Sequence, residues 1–332
     1  MARFAGILAL AWIVLYLTVH ADEPSRVAIE IHEDYLDFRL GPDLVSRYHL
    51  ERSLAKPYFW PVYGPGQIAM TRSWPMEKAA AGDSTDHIHQ KSAWFCHGDV
   101  IPEGIPIESK IRGIEGIDFW SEGPGHGRIV CTKVGEVKKD DKNVWPQTEN
   151  QWQTAEGVPV LEELRTLHLY EFGESRLLVV NIDLEARYAN ITFGDTKEGS
   201  FGIRVNDLIR EEKGNGKIEN AEGKIGEKNC WGRVSAWCDY SGTIEGKKVG
   251  IAILADPANP YPSCWHARGY GLMAANPFGR DKSGFPDMKG KTDLVKLAKG
   301  EHLKLRYGLL IHPGDAKQGK VSENYDRFVK LK

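Results

Sequence analysis

Past its first twenty positions, the chain of 332 residues has no apolar run near the ~20 residues that cross a bilayer. A polytopic helical membrane protein is therefore excluded. Charge of one sign is also lacking, since 43 Lys and Arg stand against 46 Asp and Glu, a formal net of −3. Nucleic acid and anionic membrane surfaces are poor partners for such a balance. Cysteine is scarce: Cys96, Cys131, Cys230, Cys238 and Cys264 are odd in number, irregularly spaced and without a Cys-x-x-Cys pair. No disulfide scaffold, zinc ribbon or dithiol redox motif fits them. Cys230 and Cys238 leave open a bridge across a hairpin, against the alternative of small buried hydrophobes. There is no Walker-type glycine loop, no Gly-x-Ser-x-Gly elbow and no His-Glu-x-x-His. Nucleotide hydrolysis, α/β-hydrolase chemistry and zincin proteolysis lose their support with them.

The N-terminus reads as an address. Arg3 precedes an apolar stretch over residues 4–18, and Val19-His20-Ala21 offers small residues at −3 and −1. A Sec-type signal peptide cleaved near Ala21 is expected, with an uncleaved anchor as the alternative. The mature chain, residues 22–332, is then an exported, periplasmic or extracellular, single domain without a membrane span.

The full sequence is 41% hydrophobic, as a folded globule should be. Strand-like alternation covers residues 27–40, 167–172, 177–184, 201–205, 249–255 and 303–311, with Gly, Asn, Asp and Pro between them. Residues 215–229 are polar and rich in Gly, Lys and Glu, as a surface excursion would be. Strands do not alternate with helices, so a Rossmann or barrel fold is unsupported. One helix is expected at the C-terminus, where Val321, Tyr325, Phe328 and Val329 share a face. The pattern predicts an all-β fold: a large antiparallel β-sandwich with long loops and a C-terminal helix.

Chemistry concentrates in a few phrases. Asp86-His87-Ile88-His89-Gln90-Lys91 places two imidazoles two positions apart, on one side of an extended segment. That spacing suits a general acid/base or a pair of metal ligands. Asp86 is placed to orient a ring and Lys91 to fix an oxyanion. In Trp265-His266-Ala267-Arg268-Gly269-Tyr270, an imidazole, a guanidinium and a phenol share parity on one strand face. Arg268 is the natural clamp for a carboxylate or a hydroxyl pair. Glu198, between two strand-like segments, is a candidate carboxylate, against a solvated turn. Lys56-Pro57-Tyr58-Phe59-Trp60-Pro61 offers aromatic faces for a pyranose, against a role in the core.

The chain resembles a secreted bacterial family labelled methane oxygenase PmoA-like. The residues that carry the resemblance are Lys56 to Pro61, Trp74-Pro75-Met76, Asp86 to Ser92 with Trp94-Phe95, His97-Gly98-Asp99, Asp118-Phe119-Trp120, Gly194 to Gly199 and His266 to Phe278. It runs from about residue 26 to 330. It implies a β-sandwich of the galactose mutarotase-like type, of the kind found among exported sugar-degrading systems, with no settled reaction. Many relatives carry a His and an Arg where this chain has Gln90 and Lys91, so a three-histidine metal site would lack one ligand.

Together these readings lead to an exported enzyme acting on a sugar or sugar derivative by histidine acid/base chemistry, of epimerase, lyase or hydrolase type. His87 or His89 and His266 would move protons, Arg268 would clamp, and Tyr270 and Glu198 would assist. Asp86, Gln90, Lys91, Trp94, Asn276 and Trp60 would hold the saccharide. No cofactor is expected on this reading. The alternatives are a transition-metal oxidase with His87, His89 and one of His97, His126 or His266 as ligands, and a non-catalytic glycan-binding module. The oligomeric state stays open.

Overall fold

A computed structural model describes residues 26–140 and 143–331, and the leader-like segment 1–21 lies outside them. Two large antiparallel sheets face each other. The first runs, edge to edge, Val27–Ile31, Tyr35–Leu40, Asp43–His49, Tyr58–Gly64, Ala93–His97, Gly199–Arg204, Leu272–Asn276 and Cys264–Arg268. Ile68–Ala69 pairs with Tyr58–Gly64 outside that path. The second runs Lys217–Asn220, Trp237–Ile244, Lys247–Ala255, His302–Pro313, Ser175–Glu185, Pro159–Phe172, Gln147–Gln153 and Arg128–Val134. The expected all-β sandwich is what the chain forms.

Strand alternation assigns each residue to a side of the first sheet. Phe95, Phe201, Ala275 and Trp265 occupy one register row across four strands and point into the core. There Phe95 meets Trp152 and Phe201 stacks on Tyr307, both from the second sheet. One position along, Trp94, Gly202, Ala274 and His266 form the next row and point away from that core. The site is built on this outer face.

The helix Val321–Lys330 docks on the other side of the molecule. Val321 and Phe328 are buried against Leu177, Leu254 and Leu310, with Tyr325 partly covered. Val329, expected in the stripe, is 37% exposed instead. Residues 27–40 form two strands of a hairpin rather than one, because the polar run 32–34 turns the chain. Residues 215–229 contain the edge strand Lys217–Asn220 and the single-turn helix Glu227–Cys230. All five cysteines are buried and free, so Cys230 and Cys238 form no bridge. Among the described residues no helix is long and apolar enough to cross a membrane.

Candidate functional site

Gly202 decides the floor of the site. A Cβ there would lie 3.1 Å from Trp94 and 3.2 Å from Trp120, so glycine lets both indoles settle on the sheet. Trp120 arrives from a loop fixed by Asp118, whose carboxylate accepts the Trp120 backbone N–H at 2.7 Å. Trp120 then touches both sequence phrases. Its ring lies 6.3 Å from His266, nearly parallel, and 6.4 Å from His89. His89 meets His87 edge-on at 5.7 Å, and His87 stacks flat on Tyr270 at 5.0 Å and 6°. Stretches almost 180 positions apart therefore close into one group of rings. Trp231, just after the helix Glu227–Cys230, adds an edge against His266 at 5.0 Å, and the Arg268 guanidinium lies 5.0 Å from its centre.

Two local geometries differ from expectation. Residues 83–92 are a loop, not an extended strand, and His87 adopts a left-handed φ of +46°. His87 O accepts the Gln90 N–H at 2.9 Å, so a turn, and not two-residue parity, brings the imidazoles together. Tyr270 likewise sits in the tight turn after Cys264–Arg268, before Gly271 at φ +105°. It reaches the site from the turn, not from the strand face.

Buried cations hold the loop. Asp86 lies between Arg72 at 3.0 Å and Arg204 at 2.7 Å. Arg72 also donates to His87 O at 2.7 Å and to Gln90 O at 3.2 Å. Arg204 donates to the Gln90 side-chain oxygen at 2.7 Å, and the Gln90 amide reaches the Tyr270 hydroxyl at 3.5 Å. Lys91 pairs with Glu122 at 2.6 Å, and Lys56 reaches the same carboxylate at 3.3 Å. The structure thus ties Asp86, Gln90 and Lys91 into the loop's own support. These pairs hold Asp86 and Glu122 below the usual carboxylate range, although burial alone would raise them.

Protonation states follow from burial. His266 Nδ1 donates to Lys197 O at 2.9 Å, which leaves Nε2 as the lone-pair acceptor. Burial, with Lys197 and Arg268 adding to it, pushes this imidazole down to about 3. His89 has no hydrogen-bond partner on either nitrogen among the described residues, and burial beside Lys56 lowers it to about 3 as well. The Glu198 carboxylate lies 3.8 Å from His266, and burial pushes it up to about 7. Neutral imidazoles thus stand beside a carboxyl that is about half protonated at neutral pH, so the site holds both a proton acceptor and a proton donor.

The remaining expected residues lie apart or are otherwise engaged. Asn276 donates to Thr196 O and Lys197 O and accepts from the N–H groups of Phe278 and Gly279, so it braces the Glu198 turn. Trp94 is buried beneath Trp120. Trp60 stands beside His49 on another strand. His97 is buried, bonded to Gly194 O at 2.9 Å and packed on Phe193 and Phe278, so it does not join His87 and His89. His126 pairs with Asp118 at 3.5 Å. Among the described residues, the one group of three candidate metal ligands within reach of each other is Glu30, His32 and Asp37, remote in sequence from these histidines. Arg39 and Arg47 already pair with its carboxylates. The residues not expected at the site are Arg72, Arg204, Glu122 and Trp231, with Trp120 named only for the family resemblance. A buried guanidinium and a loop indole follow no spacing rule, and only their partners in space reveal them.

Fold and site together define an all-β sandwich with a cluster of aromatic and histidine rings on the outer face of one sheet. The chain belongs to the Family of unknown function (DUF6807), whose model matches residues 35–326. That description carries no methane-oxygenase activity, and no comparison supports that part of the resemblance. No curated protein matches the chain. Among solved structures it is similar to galactose 1-epimerase from Lactobacillus acidophilus NCFM, at 8% identity and a TM-score of 0.42, covering 88% of this chain and 100% of that one. It is also similar to two GH36 alpha-galactosidases from Geobacillus stearothermophilus. AgaA shows 8% identity and a TM-score of 0.42, with 88% of this chain and 41% of that chain covered. AgaB shows 9% identity and a TM-score of 0.44, with 88% and 42% covered. The chain spans about two fifths of the length of these galactosidases.

Proposed function

We propose that this is an exported enzyme that moves a proton on a sugar or sugar derivative, with His89 and His266 as bases and Glu198 as the acid. The observation that carries the reading is one group of side chains around Trp120 in which two imidazoles stay neutral and a neighbouring carboxyl is lifted to about 7. A neutral Nε2 at His266 accepts a proton, and Glu198 returns one from within reach of the same ring. A saccharide suits the walls: Trp231 offers ring surface to its C–H groups, while Arg268 and the Tyr270 hydroxyl meet its oxygens.

The test is a saccharide library assayed by NMR for turnover and for exchange of carbon-bound hydrogen with deuterated solvent. His89→Ala and His266→Ala should each lower the rate of a hit by about 10²- to 10⁴-fold. For His89→Ala the melting temperature should stay within a few degrees, because its ring makes no hydrogen bond. Full activity in both variants, or a saccharide that binds and is always recovered unchanged without exchange, contradicts the proposal.

A further inference from the structure

We infer that the substrate carries a carboxylate, that is, an acidic sugar of the uronic-acid class, and that Arg268 receives it. The inference rests on the sugar-acting reading above and narrows it. Its first support is a charge surplus. Asp86 alone serves Arg72 and Arg204, and Glu122 alone serves Lys56 and Lys91. The side chains of Arg72, Arg204 and Lys56 are at most 2% exposed, and Nε of both arginines is buried without a partner.

The other nearby carboxylates do not make up the difference. Asp118, bonded to the N–H groups of Trp120 and Ser121 and facing His126, keeps its negative charge but offsets only one of these cations. Asp207 binds Ser84, pairs with Arg210 at 3.4 Å and also favours the charged forms of Arg72 and Arg204, so one carboxylate is shared among three guanidiniums. Buried positive charge without an equal number of anions is costly, and an anionic ligand relieves that cost on binding.

The second support is the state of Arg268 itself. Glu227 holds its Nε edge at 3.3 Å and also accepts the Gly269 N–H at 2.6 Å. The two terminal nitrogens have no hydrogen-bond partner among the described residues, and the side chain is 35% exposed. The guanidinium is steadied over Trp231 and lies 6.0 Å from the Tyr270 ring centre. A guanidinium with one edge fixed and two donors free is a fork for a planar carboxylate. The same group would acidify the neighbouring C–H bond. When an imidazole takes that proton, the bond's electron pair spreads into the carboxylate, and a proton returned to the same carbon completes the exchange.

Titration calorimetry on the whole protein tests this, with methyl galacturonide and methyl glucuronide against methyl galactoside and methyl glucoside. The uronides should bind at least about 10-fold more tightly, and Arg268→Gln should cost them about 10- to 100-fold while shifting the neutral glycosides less than about 2-fold. Arg268→Lys should recover part of the loss if the folded state is intact. Equal affinity for both classes, an equal loss for both, or tighter binding of galactose 6-sulfate than of the uronides overturns the carboxylate. Turnover of neutral sugars alone overturns this inference and leaves the acid/base reading standing. Uronide binding that depends on Arg268 but gives no hydrogen exchange does the reverse, and binding of neither class overturns both.

Discussion

Glu198 is the residue whose environment makes the strongest claim. Its carboxyl is lifted to about 7 mainly because burial penalises the charged form. An acid raised above its unfolded value costs stability once the folded carboxyl must ionise. That penalty begins near the unfolded pKa of about 4.5, grows toward 7 and is constant above it. Glu198→Gln should therefore melt higher than the parent at pH 8 and show no advantage at pH 4.5. Thermal denaturation at both values checks this, and an advantage independent of pH would contradict it. Catalysis should move the opposite way: the variant loses its acid, and the parent's rate should fall as pH rises above 7. Glu198, His89 and His266 were legible in the sequence because each is a titratable residue set in a polar phrase. Asn276 was expected to hold the saccharide and plays another part, since its side chain is consumed by four backbone groups. Spacing reveals which groups are present and says nothing of their partners.

At the scale of elements, the central strands were readable and the loops were not. Gly199–Arg204 and Cys264–Arg268 are buried on both sides, yet Phe201 with Ile203 and His266 with Arg268 fall two apart, so each pair could be assigned to one face. The segment 83–92 carries polar residues that suit an extended strand equally well, yet it turns at His87. What fixes that turn is Arg72 and Arg204, which arrive from sites 14 and 118 positions from Asp86 in sequence. No local pattern contains such a constraint. The floor beneath the loop makes its own prediction. Gly202→Leu would push a side chain into Trp94 and Trp120 and should destabilise the protein by about 1–3 kcal/mol. It should also change the near-ultraviolet dichroism of those indoles and weaken saccharide binding. An unchanged melting temperature would mean that the indoles do not rest on this strand. On the opposite sheet, Phe328→Ala should cost about 3–5 kcal/mol by emptying the seat of the C-terminal helix, with activity retained at temperatures where the protein stays folded.

For the whole molecule, the two-sheet architecture follows from period-two alternation and was readable from the start. The meeting of two remote stretches is a tertiary fact, carried by Trp120 and the paired cations beneath the loop. The titration of the whole fold is set by the same burial. His89, His97, His168 and His266 are all held below their ordinary value, so below about 6.5 the unfolded chain takes up protons that the folded one refuses. His312 works against this trend, because its buried pair with Asp239 raises it and that contribution is lost only as pH rises through the folded value. Glu198 opposes it too. Four lowered imidazoles outweigh these two, so the melting temperature should fall between pH 6.5 and 4.5, which scanning calorimetry across that range will show.

The central claim concerns the charge state of His89 and His266 in a shared cluster of rings, and long-range nitrogen–proton NMR of the histidine rings from pH 8 to 5 addresses it most directly. Both rings should remain neutral throughout, with the proton of His266 on Nδ1, and both should shift when one saccharide is added. A midpoint near 6.5 for either ring, or a ligand that perturbs one and leaves the other untouched, would contradict the account.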